Sequence, residues 1–505
     1  MKRVLVNSFF NSGKQVAAII VAFVVSPIIV HSLGDEQYGL WSLIVSITGY
    51  YSFLELGVAG AVVKFVSHFS AQHDLDRAKG IYSTASVFFA AVGAVVFLSS
   101  LAVAYYFDSW FEVSTESSTD IFFIVLILGA STALSLLFSA VTASLFALQE
   151  IPALSIVTIV TNVLKNALLV VFLYQGYGLM MMAVVTLATS LLRLLVLRLI
   201  LALRHSFLKV EVSKFDNSML KTVFTYGLYG FMIFVASKLL FFSSSVIIGK
   251  MIGISEVTYY AIPASLLIYV EAVIWAMLQV LIPVISGYDA TGNVAGNQRL
   301  YVLGTRYSLC VSLPVMVTLF AVGDVFIANW MGEEYALKGS FVLRVLVIGY
   351  LFQFSRFVAE IILKGTNKHR VLAFILLGQA AVGIVAGILL APGYGIDGVA
   401  LGTTIPLVVS NLLLVPIYTC KVLGMSPLRF LRDGPAVPAI LTGLFALVHW
   451  LIAPEVKTYL DIVFYATMAT AFFSLASWFL VLEKEHQEAL RGQLRRLSPW
   501  RKSDG

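Results

Sequence analysis

Ten side chains of this sequence have the types and spacing to handle an anion where no water is available to do so. They are Lys14, Glu55, Asn162, Lys165, Asn166, Arg193, Lys238, Glu271, Arg356 and Glu360. Each falls inside a run of apolar residues long enough to cross a bilayer. There an ion costs about 2.5 to 3.5 kcal/mol at the centre on insertion scales, so it must face a partner or a visiting counter-ion. Asn162, Lys165 and Asn166 are spaced i, i+3 and i+4, which sets a cation between two amides on one helix face. Such a face suits sugar hydroxyls and phosphate oxygens, and equally suits hydrogen-bonded packing against a neighbouring helix. Arg356 and Glu360, at i and i+4, have the spacing to pair within one helix.

Depth groups the remaining charges. Lys14 lies some ten residues into the first apolar run, and Glu55 lies nine residues before Lys64 at the end of the second. At about 1.5 Å per residue the two share a level. Lys238 and Glu271 share another, 17 residues beyond Lys221 and 15 residues before Ser286. Each pair reads either as a salt bridge cementing its half of the chain or as a lysine that holds phosphate and a glutamate that replaces it when the cavity empties. Arg198 and Arg344 are close enough to run ends to snorkel. With these two, the apolar runs hold seven cations against Glu55, Glu271 and Glu360, with Asp324 near a run end, so their interior is net positive. That balance favours an anionic ligand.

No catalytic residue and no metal set emerges. The seven histidines sit in loops or at run ends, and no two are spaced as a helical ligand pair. Cys310 and Cys420 imply no disulfide framework.

The elements that must position these groups are helices in lipid. Of 505 residues 60% are hydrophobic and 12% charged, where a soluble domain carries about a quarter charged residues. That composition excludes a water-facing globule. The spacing predicts fourteen apolar helices, at 8–30, 39–62, 81–107, 121–148, 152–174, 179–202, 222–249, 257–285, 303–329, 341–363, 371–391, 399–420, 435–453 and 460–482. The first is too long for a signal peptide and lacks a small-residue cleavage site after it, so it is expected to be retained. Sorted by alternation, 23 Lys and Arg fall in loops on the side of the N-terminus, against Lys250, Lys338 and Lys457 on the other. The net charge of +6 is therefore an orientation signal rather than a nucleic-acid footprint, and both termini are expected in the cytoplasm. The loop Asp108 to Asp120, with Glu112 and Glu116, is the longest on the outer face and too short to house an active site.

A weak repeat joins "VHSLGDEQYGLW" before the second run to "GKMIGISEVTYYAI" before the eighth. It predicts an all-α integral membrane protein of two six-helix bundles in parallel repeat plus two C-terminal helices. The expected division is 1–203 and 222–420 for the bundles, 204–221 for a cytoplasmic linker, 421–482 for the last two helices and 483–505 for a basic tail.

The stretch from Ser32 to Thr84 carries Leu33-Gly34, Tyr38-Gly39, Leu56-Gly57, Lys64 and Val66-Ser67 ahead of a polar loop. On these residues the chain resembles Wzx-type polysaccharide flippases, of the exporter superfamily that also holds the lipid II flippases and the multidrug and toxin extrusion transporters. The resemblance implies that an undecaprenyl-diphosphate-linked oligosaccharide is turned from the cytoplasmic to the external leaflet of the bacterial inner membrane by alternating access. It implies that Lys14 stands where lipid II flippases bind diphosphate. Membrane lipids, a polysaccharide polymerase and assembly proteins are the implied partners. No cofactor is expected, and a coupling ion, H⁺ or Na⁺, is left open. Glu55 stands where relatives more often have Asp, and Ser244 where many carry an acid. A multidrug or cation exporter of the same fold would want an acidic cavity. A membrane polymerase or ligase enzyme would want a large outer loop.

Overall fold

The computed structural model describes residues 2–111, 113, 117–279, 281–452 and 455–488. Glu112 and Glu116 of the outer loop lie outside the described residues, as does the basic tail after residue 488. The described residues are helical almost throughout, with no strand among them. In chain order the helices are α1 (Lys2–Gly49), α2 (Val58–Ala71), α3 (Leu75–Phe111), α4 (Ser118–Leu137), α5 (Ser139–Ala147), α6 (Ile151–Tyr174), α7 (Leu179–Arg204), α8 (Asn217–Met251) and α9 (Ile254–Leu278). They continue as α10 (Leu281–Ala290), α11 (Val294–Trp330), α12 (Glu333–Gly365), α13 (Arg370–Val409), α14 (Val415–Leu423), α15 (Pro427–Asp433), α16 (Ala436–Ile452) and α17 (Tyr459–Leu480).

Among the described residues, by length and composition, 11 helical stretches can cross a membrane, or 12 if the bent pair of α15 and α16 counts as one. The sequence predicts fourteen. With the bent pair taken as the span expected at 435–453, the remaining difference lies at two places where loops are expected and a single glycine stands instead. The stretch Gly13–Glu55 runs 43 residues and Arg370–Leu423 runs 54, each about twice what a hydrocarbon core needs.

Gly34 breaks the first stretch with φ 76° and ψ 175°, a backbone state that a side chain would strain. Before it, Lys14, Ala17 and Val21 lie against Thr158 and Asn162 of α6, and Ile29 and Leu33 join Leu169 and Leu173 in one apolar cluster. This arm therefore climbs beside α6. Past the glycine, Gln37 reaches Gly178 beyond the end of α6, Gly39 abuts Ile254 just beyond the end of α8, Leu43 packs on Gly249 and Gly49 on Phe242. The second arm thus descends beside α8, and the chain doubles back at Gly34.

Gly395, with φ 57°, breaks α13 in the same way. Gly398 meets Leu390, Gly402 meets Gly387 and Gly383 meets Thr403, while the Ser410 hydroxyl donates to the Gln379 side-chain oxygen. Those partners run in opposite order, so α13 is a helical hairpin. Its glycines let two backbones approach as only small residues allow in lipid.

Backbone contacts divide the chain into two compact units, Met1–Ala276 with His369–Ser410, and Met277–Lys368 with Asn411–Gly505. The first groups α8, α9 and the α13 hairpin with the N-terminal helices. Its apolar core has one cluster around Val58, Val66, Tyr82, Phe89 and Leu201, and another around Leu40, Leu43, Phe107, Ile124 and Leu169. The second unit packs α11, α16 and α17 around Leu309, Leu313, Phe445, Tyr465 and Phe473.

Candidate functional site

Three helices of the first unit bring three cations together. Lys14 on α1 lines one crevice with Asn162 of α6. Lys165 follows Asn162 one turn along α6, and Arg193 comes from α7, which packs along α6. Arg193 is within electrostatic reach of both Lys14 and Lys165. All three are half-buried. Among the described residues none of the three has an ion pair or a hydrogen bond, and the Arg193 Nε is buried without a partner. Like charges so placed repel one another, and their desolvation is not offset within the protein.

The amides expected beside Lys165 are there. Asn166 Nδ2 donates to the Asn162 carbonyl at 2.8 Å and to its side-chain oxygen at 3.1 Å. The two amides are thus tied to each other, and Asn162 lines the crevice beside Lys14. The arrangement offers three positive charges and two amides to one ligand, which suits clustered phosphate oxygens.

The pair expected between Lys14 and Glu55 is not formed. A shared depth does not fix the direction a side chain faces, and Lys14 faces α6 and α7. Glu55 ends a tight helical turn, Tyr50–Glu55, closed by Leu56 and Gly57 with φ of 51° and 73°. Among the described residues Glu55 has no ion-pair partner. The Tyr51 hydroxyl one turn earlier is buried and unpartnered; sequence reading passed it over, and the only signal for it was its place just before Glu55. The Lys238 ammonium, expected at the level of Glu271, sits over the Phe242 ring with its Nζ 5.9 Å from the ring centre.

Arg356 and Glu360 lie in the second unit, 5% exposed each, and bond within α12 at 2.6 Å. Lys364 reaches the other Glu360 oxygen at 2.7 Å. Both Glu360 carboxylate oxygens are therefore occupied by cations of the same helix. Arg198 bonds the Tyr82 hydroxyl at 2.8 Å and Arg344 bonds Asp324 at 2.6 Å, so neither is left over.

The connection between α7 and α8 is pinned to the start of α3. Lys79 donates to Glu211 and Lys214 donates to Asp76 at 2.7 Å. The Glu211 and Asp216 N–H groups bond the Ser83 and Thr84 hydroxyls at 3.1 and 3.2 Å. The Lys79 bond holds the Glu211 carboxyl below the usual carboxylate range, and the Asp76 bond holds the Lys214 ammonium above its usual one.

Residues 4–288 match the family described as "Polysaccharide biosynthesis protein". A curated relative, "Putative O-antigen transporter" of Shigella flexneri, is 20% identical over 425 residues, covering 82% of this chain and 98% of its own. Among solved structures, a multidrug resistance MATE family transporter of the MOP superfamily, in its inward-facing conformation, superposes with TM-score 0.68 at 13% identity, over 82% of this chain and 98% of that one. The lipid II flippase MurJ, inward closed, gives TM-score 0.67 at 12% identity, over 94% and 98%. The fold is shared with these transporters.

Proposed function

The chain belongs to the polysaccharide biosynthesis protein family, and from that membership we propose that it is a flippase which turns an undecaprenyl-diphosphate-linked oligosaccharide from the cytoplasmic to the external leaflet of the bacterial inner membrane. The observation that carries the reading is the unpaired trio Lys14, Lys165 and Arg193. A diphosphate supplies the negative charge that the protein withholds from them, so the site is stabilised when the ligand enters and is strained when it leaves. That difference is what alternating access requires, since a ligand shifts a conformational equilibrium only by its differential affinity. Asn162 and Asn166 exchange their mutual bonds for sugar or phosphate oxygens. The transport reading agrees with the relative named as an O-antigen transporter and with the fold of the lipid II flippase. A multidrug exporter of cations has no use for three unpaired cations in its site. The 23-to-3 bias of Lys and Arg supports a cytoplasmic location for both termini.

Depletion of the protein tests the reading. Undecaprenyl-linked oligosaccharide is expected to accumulate on the cytoplasmic face, and its mass identifies the sugar. Unchanged lipid-linked pools together with loss of resistance to a cationic compound would overturn it in favour of the exporter.

A further inference from the structure

The second unit holds a cavity of about 500 Å³ between α11, α12, α16 and α17, within the roughly 300 to 1,000 Å³ of ordinary ligand sites. Most of its wall is apolar, from Met316 and Phe320 through Val347 and Leu351 to Ala446. Phe320 is 45% exposed and Ile348 41%, so the cavity is open along this apolar wall of membrane-spanning helices.

The polar groups of the wall gather at one end. Arg344 donates to Asp324 at 2.6 Å while 43% and 34% of their side chains stay exposed. His449 Nδ1 meets the Tyr465 hydroxyl at 3.0 Å. Asp324 lies six residues before the end of α11, Tyr465 six after the start of α17 and His449 three before the end of α16. At about 1.5 Å per residue all three stand roughly 5 to 9 Å inside their helix ends, where headgroups give way to chains. From Arg344 to Leu351 the apolar wall continues about 10 Å further into the bilayer.

We propose that this cavity binds one phospholipid with a zwitterionic primary-amine headgroup, one acyl chain in the apolar slot, the phosphate on Arg344 and the ammonium on Asp324. The Arg344–Asp324 pair is neutral overall but presents two exposed poles side by side. A headgroup that carries its own phosphate and ammonium matches both. An anionic headgroup meets Arg344 and is repelled by Asp324. A quaternary ammonium has no N–H to donate to the carboxylate. Nothing in the proposal depends on the cation trio of the first unit.

Native mass spectrometry of the purified full chain, with dioleoyl phosphatidylethanolamine, phosphatidylcholine or phosphatidylglycerol added in turn, tests this. One phosphatidylethanolamine is expected to stay bound, about tenfold more tightly than either other lipid, the value of one charge-assisted bond. Ala446→Trp fills the slot and should abolish retention without touching the ion pair, its helical circular dichroism and melting curve checking the fold. Asp324→Asn should leave binding intact but erase the preference over phosphatidylcholine, and so tests the headgroup independently of the slot. Equal retention of the three lipids, or preference for phosphatidylglycerol, overturns the proposal. Displacement of phosphatidylethanolamine by an isoprenyl phosphate at equal concentration would also overturn it, giving the slot to the transported lipid.

Discussion

The Tyr259 hydroxyl donates to the Asp35 carboxylate, and the neighbouring Thr258 hydroxyl donates to the Asp35 carbonyl oxygen at 2.6 Å. The two segments that the sequence reads as a repeat are thus bonded to each other, just past the Gly34 bend on one side and in the first turns of α9 on the other. Gly39 completes the contact, because a Cβ there would collide with the Ile254 carbonyl. Tyr259→Phe and Asp35→Asn are each expected to destabilise the protein, with a coupling of about 1 kcal/mol in a double-mutant cycle. Melting curves of the two single variants and the double variant measure it, and strict additivity would show that the bond contributes nothing. Gly39→Val should be worse than either.

The cation trio makes an opposite expectation for stability and function. Lys165→Ala or Arg193→Ala removes a repelled, half-buried charge, so protein abundance should hold or rise while export of surface polysaccharide falls by tenfold or more, about the loss of one charge-assisted phosphate contact. Lys165→Arg keeps the charge and should keep most of the export. Normal export in both alanine variants at normal abundance would remove the trio from the transport path.

The helices, their order and the strength of their apolar runs were readable from hydropathy, because length and composition alone decide what can cross lipid. The turns at Gly34 and Gly395 were readable only as loops. Each is one residue of non-helical φ and ψ between two helical arms, so the hairpin has almost no loop to see. Arg356 and Glu360 were readable as a pair because i and i+4 spacing fixes both partners on one face. Lys14 with Glu55 was not, since two helices at one depth still leave the facing direction open. The convergence of Arg193 on Lys14 and Lys165 depends on how three helices pack, which no local pattern encodes.

The Arg356–Glu360–Lys364 ladder is expected to matter for folding alone. Glu360→Gln leaves a buried guanidinium without its counter-charge and should lower stability by about 3 to 5 kcal/mol. The double variant Arg356→Met with Glu360→Leu removes both buried charges, and Lys364, 37% exposed, can turn outward. That variant should melt near the wild-type temperature and export polysaccharide. Loss of export in a stably folded double variant would show a transport role.

The α13 hairpin depends on the approach of Gly402 to Gly387, where an added Cβ would strike the opposite backbone. Gly402→Val should therefore cost about 1 to 3 kcal/mol, the usual range for overpacking. Gly378, which has open space beside it, should accept Ala with little change. Thermal melts of the two variants side by side separate packing from helix propensity, and an equal effect at both positions would contradict the close approach.

The connection between α7 and α8 should respond to pH at both extremes and at neither side of neutrality. The Glu211 carboxyl titrates below its unfolded value because of the bond from Lys79. It therefore stabilises the docked connection at every pH above the unfolded carboxylate range, and that contribution is lost as pH falls through the depressed folded value. Lys214 titrates above its unfolded value because of the bond to Asp76. Its contribution is complete below the usual lysine range and is lost as pH rises through the raised folded value. The docked state is thus flat between about pH 5 and 9, bounded by the ordinary carboxylate and lysine values. Limited proteolysis within residues 209–216, beyond the His205–Glu150 contact, should show constant protection across that window and faster cleavage near pH 3.5. In Glu211→Gln the acid-induced step should shrink, and cleavage at neutral pH should approach the rate that the wild type reaches only in acid. Cleavage that changes steadily from pH 5 to 9 would mean that other titrating groups, and not the Lys79–Glu211 and Asp76–Lys214 pairs, hold the connection in place.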